Sequence, residues 1–528
     1  MQILSFLGFT ALVAIISYLA TRKTDEDSSD GYFLGGRSLT GVVIAGSLLL
    51  TNLSTEQIVG LNGSAFKEGI LVMAWETLAA IAMVVTAVFL LPRYLTGGIT
   101  TVPQFLEKRY DKMTKTITSG LFLSGYVVVL LPIVLYSGAL AINSMFNVPE
   151  LLDVSKGTAL WITVWGIGII GSIYAIFGGL KAVAVSDTIN AIGLLIGGLL
   201  IPVFGLLAIG DGSITEGIST LMKTNPEKFK VMGGEESSIP FGTIFTGMML
   251  VQLFYRGTNQ AIIQRALGAK NLKEGQKGLL LASAIKILGP LIVVLPGIIA
   301  FHMFGNTLDN PDEAYPMLVT KVLPTALVGF FAAVLFGAIL SSFNSALNSS
   351  VTLFGIDIYK SHIKEDASEK EVVFAGKSFG VFLAILSMCI APLIAHAPDG
   401  LFGYLQEVNG CYSIPILTII VVGYLTKYVP AFAAKIAIIS GVVLYSLSQF
   451  VIKPFIVGAE NYPHFLHVMA ILFVLNVVIM LIIGKVMPRE KAFNLQFTNQ
   501  VDITPWKYLK PVGILICVIV ISTYLIFR

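Results

Sequence analysis

One apolar stretch of the chain carries a run of neutral oxygens: Ser341-Ser342-Phe343-Asn344-Ser345-Ala346-Leu347-Asn348-Ser349-Ser350. On a helix, spacings of three and four bring Ser341, Ser342 and Ser345 to one face. Small hydroxyl residues have two uses in such a place. They let helices pack closely, or they coordinate a hard cation such as sodium, which prefers oxygen ligands. The second use needs further oxygens, and an interrupted helix supplies them as freed backbone carbonyls.

Two other apolar stretches are interrupted in that way. The first contains Thr51-Asn52-Leu53-Ser54-Thr55-Glu56-Gln57, with carbonyls near Leu50 and Leu53 available as ligands. The second contains Gln252-Leu253-Phe254-Tyr255-Arg256-Gly257-Thr258-Asn259-Gln260. They lie five helices apart in opposite orientation, the pattern of paired broken helices around a central site in inverted halves. Two intact helices with polar, bundle-facing surfaces are the alternative.

Ionisable groups are scarce in the apolar stretches: Glu76, Asp187, Arg256, Lys286 and Glu407. Each is costly in a bilayer unless paired or facing water, so each marks a candidate site. Structural uses compete: a Glu76–Lys286 ion pair, Asp187 as a helix cap, Glu407 in an outer vestibule.

The elements that must hold these groups follow from composition. The chain has 528 residues, 55% hydrophobic and only 12% charged, with mean hydropathy +0.84. A soluble domain is typically about 25% charged, so lipid must be the solvent for much of this surface. An all-α integral membrane protein is expected. About fourteen stretches reach spanning length: 2–21, 40–64, 70–95, 115–144, 158–180, 184–209, 240–265, 277–305, 323–357, 373–396, 402–426, 432–455, 463–487 and 509–527. Met1–Ala20 is apolar but is followed, not preceded, by Arg22 and Lys23, so it reads as a retained helix and not a cleaved signal. Alternate loops are rich in Lys and Arg, including Arg109, Lys115 and Arg265. They are expected in the cytoplasm, with both termini outside. Residues 210–239 form the longest outer loop, too short to fold alone.

Several classes are disfavoured. Net charge is +3 without a long basic run, so nucleic acid is not indicated. Cys389, Cys411 and Cys517 have no metal-binding spacing. The five histidines, His302, His362, His396, His464 and His467, meet no carboxylate or cysteine cluster. No catalytic constellation and no nucleotide-binding glycine loop is evident, so an enzyme or an ATP-driven pump is not expected.

Read in order, several short motifs become recognisable. They are Asp30-Gly31-Tyr32-Phe33-Leu34-Gly35-Gly36-Arg37-Ser38-Leu39, Asn52-Leu53-Ser54-Thr55-Glu56-Gln57, Phe177-Gly178-Gly179-Leu180-Lys181-Ala182-Val183 with Ser186-Asp187, Asn259-Gln260-Ala261-Ile262-Ile263-Gln264-Arg265, Ala314-Tyr315-Pro316 and the serine run. Over essentially its whole length the chain resembles the sodium/solute symporter family, most closely the sodium/glucose and bacterial sodium/galactose branch. The resemblance implies two inverted five-helix repeats, 40–209 and 240–426, with flanking segments 1–39 and 427–528. It implies a sodium site from the carbonyls of Leu50, Leu53 and Ala338 and the hydroxyls of Ser341 and Ser342. Asp187, with Ser345, matches a second ion site or exit path, although Asn344 stands where a hydroxyl is often found.

For the substrate, Gln57, Glu76, Lys286 and Gln406 match sugar-binding positions. Tyr255 matches a stacking and inner-gate aromatic, and Leu61 and Phe402 match outer lids. Departures accompany the matches: Gln252 replaces an asparagine, Ala79 a serine, Trp75 a tyrosine and Arg256 a tryptophan. Arg256 is a specificity candidate, since a guanidinium binds the carboxylate or sulfonate of a sugar acid. The retained polar set favours a neutral hexose. The expected function is sodium-driven symport of a sugar such as galactose or glucose in a bacterial inner membrane. An acidic-sugar symporter and a non-transporting solute sensor are the alternatives.

Overall fold

The computed structural model describes residues 2–22, 28–308, 310–396 and 401–526. Met1, Lys23 and the side chains of Phe177, Asn306, Ala395, His396, Leu401 and Ala459 lie outside this description. The described residues form helices and no strands, with only isolated bridges at Leu39–Ala269 and Gly233–Pro240. Backbone polar groups have no water to bond in a bilayer, and a helix satisfies them within itself.

Eleven helices are long and apolar enough to span a membrane, or twelve when the pair Leu272–Lys286 and Pro290–Phe304, bent by 43°, is counted as one span. The difference from about fourteen stretches arises where the chain departs from straight helix. Gly41–Asn52 stops short, and the next helical run continues from Thr55 to Thr96. The expected 240–265 stretch divides into Gly247–Gly257 and Gln260–Leu267, each too short to span alone. Lys156–Ile209 is kinked at Gly179, whose φ of 59° and ψ of −173° belong to a region essentially reserved for glycine.

The helix carrying the serine run, Thr325–Thr352, is buried along nearly its whole length. It packs against Lys156–Ile209, Gly41–Asn52 and the N-terminal helix Gln2–Thr21. Close approach is made possible by small residues. A Cβ on Gly46 would meet Thr188 at 2.8 Å, and one on Gly197 would meet Phe331 at 2.6 Å. The outermost helices show the opposite surface: Leu4, Leu7 and Ile15 at one end of the chain and Ile514, Leu515 and Ile521 at the other are exposed, as lipid-facing side chains are.

Three residues expected among cytoplasmic loop charges are buried. Arg109 donates to the carbonyls of Gly423, Val429 and Thr426. Lys115 pairs with Glu107 at 2.6 Å, and Arg265 is fully buried in the bundle. A positive-charge count reads residue type and cannot see a side chain turning inward to satisfy buried acceptors. The 210–239 segment also carries structure: a helix, Ile214–Thr224, and Lys228, which donates to the Phe66 and Lys67 carbonyls at 2.9 and 2.5 Å.

Candidate functional site

The first break has a local cause. The Asn52 amide donates to the Leu48 carbonyl (2.7 Å), a side-chain bond that competes with helix continuation. The helical ladder ends with the Leu53 amide on the Leu49 carbonyl, Leu53 leaves helical geometry, and Ser54 is extended. Carbonyls from Leu50 to Leu53 therefore lie beyond the last helical bond. The next helix, Thr55–Glu68, starts with buried polar residues. Asn52 Oδ1, Thr55 Oγ1, Glu56 Oε2, Gln57 Oε1 and Asn62 Oδ1 are buried without hydrogen-bond partners.

This break lies against the serine helix. Thr51 Oγ1 is 3.3 Å from Ser341 Oγ and 3.1 Å from Ser345 Oγ. Leu50, Leu53 and Ala338 are buried in one apolar cluster, and Ser342 Oγ is buried and unpartnered. The first break and the serine helix, which carry the five residues expected around sodium, thus meet at Thr51. The donors there are neutral oxygens, which suit a monovalent hard cation. Among the described residues, no group of three or more His, Cys, Asp or Glu side chains could hold a metal ion.

Asp187 and Ser345 are joined through a residue that sequence reasoning assigned elsewhere. Ser47 Oγ donates to Asp187 Oδ2 (2.6 Å), and Arg265 Nε donates to Ser47 Oγ (3.2 Å). The Arg265 guanidinium also donates to Ser345 Oγ and the Ala261 carbonyl. Ser345 in turn donates to the Ser341 carbonyl at 2.5 Å. Asp187 is no helix cap: it lies well inside Lys156–Ile209, beyond the Gly179 kink. Asn344 lines a small cavity of about 90 Å³ with Ser186 and Asn190.

The second break is closed by its own side chains. Asn259 caps Gln260–Leu267 by accepting from the Ala261 amide (3.0 Å), and Tyr126 donates to the same oxygen (2.6 Å). Gln260 donates to the Thr100 carbonyl and accepts from the Val102 amide. Gln264 donates to the Phe33 carbonyl and Thr352, and accepts from Ser349.

The residues expected to bind substrate fall into three sets of contacts. Gln252 donates to the Trp75 carbonyl (2.9 Å), and the Trp75 ring meets Phe402 edge-on at 5.2 Å. Phe402 packs on Gly60, where an added Cβ would lie 2.7 Å from the Phe402 Cβ. Leu61 is fully buried and Gln406 nearly so. Lys286 Nζ donates to both oxygens of Glu76, at 2.9 and 2.7 Å, and both side chains are 0% exposed. The Arg256 guanidinium lies over the Tyr255 ring at 4.6 Å. Glu407 is outside this group: it pairs with Lys453 of the flanking helix at 2.6 Å.

Residues 32–442 match the sodium:solute symporter family. The chain belongs to that family. This symporter is 49% identical over 524 residues to the uncharacterized symporter YidK of Escherichia coli (strain K12), covering 99% of this chain and 90% of that one. It is 32% identical over 466 residues to a sodium/glucose cotransporter of Vibrio parahaemolyticus, covering 84% and 83%. It is 30% identical over 463 residues to the human sodium/myo-inositol cotransporter 2, covering 82% and 67%. Its fold is similar to that of a substrate-bound, outward-open Na⁺-coupled sialic acid symporter, with a TM-score of 0.77, 19% identity and coverage of 93% and 99%.

Two residues of the symporter's central region escaped the sequence reading as charges within the membrane. Arg265 was grouped with loop residues, and Glu56 appeared only inside a motif. A signal for Arg265 was present: Gln260 and Gln264 are four apart in the segment that Arg265 ends, and such a polar strip in an apolar stretch faces the bundle.

Proposed function

We propose that this symporter couples inward sodium movement to uptake of a sugar by alternating access. The observation that carries the reading is the first broken segment. Its Leu50 and Leu53 carbonyls lie beyond the last helical bond, its Thr51 hydroxyl lies beside Ser341, and little more than a turn onward the Gln57 amide oxygen is buried and unpartnered. One element thus contributes to both ligands, which makes their binding interdependent.

Sodium is held by the Leu50, Leu53 and Ala338 carbonyls and the Ser341 and Ser342 hydroxyls. This pins the break to the serine helix and orients Gln57. Gln57, Gln252, Gln406 and the Glu76–Lys286 pair bond the sugar hydroxyls. Lys286 uses two of its three donors on Glu76, leaving one for substrate. Trp75 and Tyr255 supply ring surfaces, and Leu61 and Phe402 cover the outer side. Two inverted repeats, 40–209 and 240–426, rock around this centre. Arg265 supplies a permanent positive charge near Asp187, which favours one sodium per cycle, leaving inward past Asp187. The symporter lies in a bacterial inner membrane with both termini outside. The named activities of the sodium/glucose and sodium/myo-inositol relatives, both on polyhydroxylated solutes, support this class.

The driving force is adequate. One charge crossing about 100 mV supplies about 2.3 kcal/mol, and a tenfold sodium gradient adds about 1.4 kcal/mol. Together they support roughly 500-fold accumulation of a neutral sugar. The test is uptake of radiolabelled galactose, glucose and hexuronates into proteoliposomes, with an inward sodium gradient against a potassium control. Sodium-dependent uptake competed by unlabelled sugar is expected. Absence of sodium-dependent flux of every sugar would overturn the reading.

A further inference from the structure

Arg256 is 2% exposed, near the C-terminal end of Gly247–Gly257. Gln252 lies one helical turn earlier on the same face, where it bonds the Trp75 carbonyl. Trp75 adjoins Glu76, and the charges of Arg256, Glu76 and Lys286 act on one another. Arg256 therefore belongs to the candidate substrate region and not to an aqueous vestibule.

It has no ion-pair partner of its own there. Lys286 claims both oxygens of Glu76. Glu56, another buried carboxylate, interacts with Tyr255, and its Oε2 is buried without a hydrogen-bond partner among the described residues. Among the described residues, Arg256 has no hydrogen-bond or ion-pair partner. Its contact is the Tyr255 ring, and its Nε is buried and orphaned. Burying a cation without a counter-charge is costly, and a guanidinium is shaped for bidentate bonding to an oxyanion. A neutral hexose would leave that cost in place in every bound state, whereas an anionic substituent on the sugar would remove it.

We propose that the substrate is an acidic sugar, its anionic group bound by Arg256 while Gln57, Gln252, Gln406 and Glu76–Lys286 bond the hydroxyls. The proposal rests on the sugar-symport reading above and narrows it. It reverses the preference for a neutral hexose drawn from the retained polar set, because Arg256 is only 2% exposed and, among the described residues, has no ion-pair partner.

The test uses the full chain in proteoliposomes with an inward sodium gradient at neutral pH. Labelled D-galacturonate and D-glucuronate are compared with D-galactose and D-glucose, and galactose 6-sulfate is added as a competitor. At least one acidic sugar should be taken up, or should compete, at least about tenfold more effectively than either hexose. Symport of one sodium with one monoanion is electroneutral, so an imposed inside-negative potential should not accelerate uptake. Arg256→Gln should lower acidic-sugar uptake roughly 10- to 100-fold and remove the preference for acidic sugars over hexoses, while Arg256→Lys should retain part of that preference. Sodium-dependent thermal stabilisation of each variant reports folding. If Arg256→Gln fails to fold, wild-type selectivity and potential dependence decide alone. Preferred, potential-driven hexose uptake would overturn the acidic-sugar assignment and leave sugar symport intact. Absence of sodium-dependent uptake of any sugar would overturn both.

Discussion

The two broken segments resemble each other in sequence and differ in how their polar groups are used. Around the second break, Thr258, Asn259, Gln260, Gln264 and Arg265 all have partners. Around the first, oxygens of Asn52, Thr55, Glu56 and Gln57 are buried without any. An unsatisfied buried polar group costs about 1–3 kcal/mol. The second break is therefore finished as a piece of structure, while the first is left to be completed by ligands. Arg256, at the edge of the second break, is the exception that the acidic-sugar proposal addresses.

This contrast is broken most directly at Arg265. Arg265→Ala leaves Asp187 buried without its counter-charge and should destabilise the protein by about 3–5 kcal/mol, read as a lower thermal midpoint in detergent. An unchanged midpoint would show that the second break is not a structural lock. At the first break, Gln57→Ala should cut sugar uptake about 100-fold, the upper range for losing a hydrogen bond to a buried polar partner. Stability should stay within about 1 kcal/mol, since the variant removes an orphaned group. Sodium binding to the empty protein should persist, and its joint loss with uptake would point to misfolding.

The two halves of the first break can then be separated. Ser342→Ala should raise the half-saturating sodium concentration about tenfold, with sugar affinity at saturating sodium nearly unchanged. Tenfold weaker sugar affinity with an unaltered sodium response would remove Ser342 from the ion site. The smallest effect belongs to the cap of the second break. Asn259→Ala should cost about 1 kcal/mol and leave the ratio of sodium to sugar flux unchanged.

Much of this was legible before any coordinates. Uninterrupted apolar runs force helices, and the polar interruptions at Thr51–Gln57 and Gln252–Gln260 located both breaks, because a bilayer penalises stray polar groups. Serine spacing alone placed Ser341 and Ser345 on one face, and both now lie beside Thr51. Charge partners were harder to read. The Glu76–Lys286 pair, 210 positions apart, was the one ion pair the sequence suggested, and the fold sets the two within 2.7 Å. Arg265 looked like a loop cation because its inward turn depends on Ser47 and Ser345, which belong to other helices.

The sequence by itself determined that the chain spans a membrane as helices, where two of them are interrupted, and which family motifs it carries. These follow from local hydrophobicity and local order along the chain, which need no knowledge of neighbours. Only the tertiary structure decided which charges compensate one another. It gave Glu76 to Lys286, linked Arg265 to Asp187 through Ser47, and left Arg256 over the Tyr255 ring without an ion pair of its own. Pairing energy depends on distances of a few ångströms between residues far apart in sequence, and packing sets those distances.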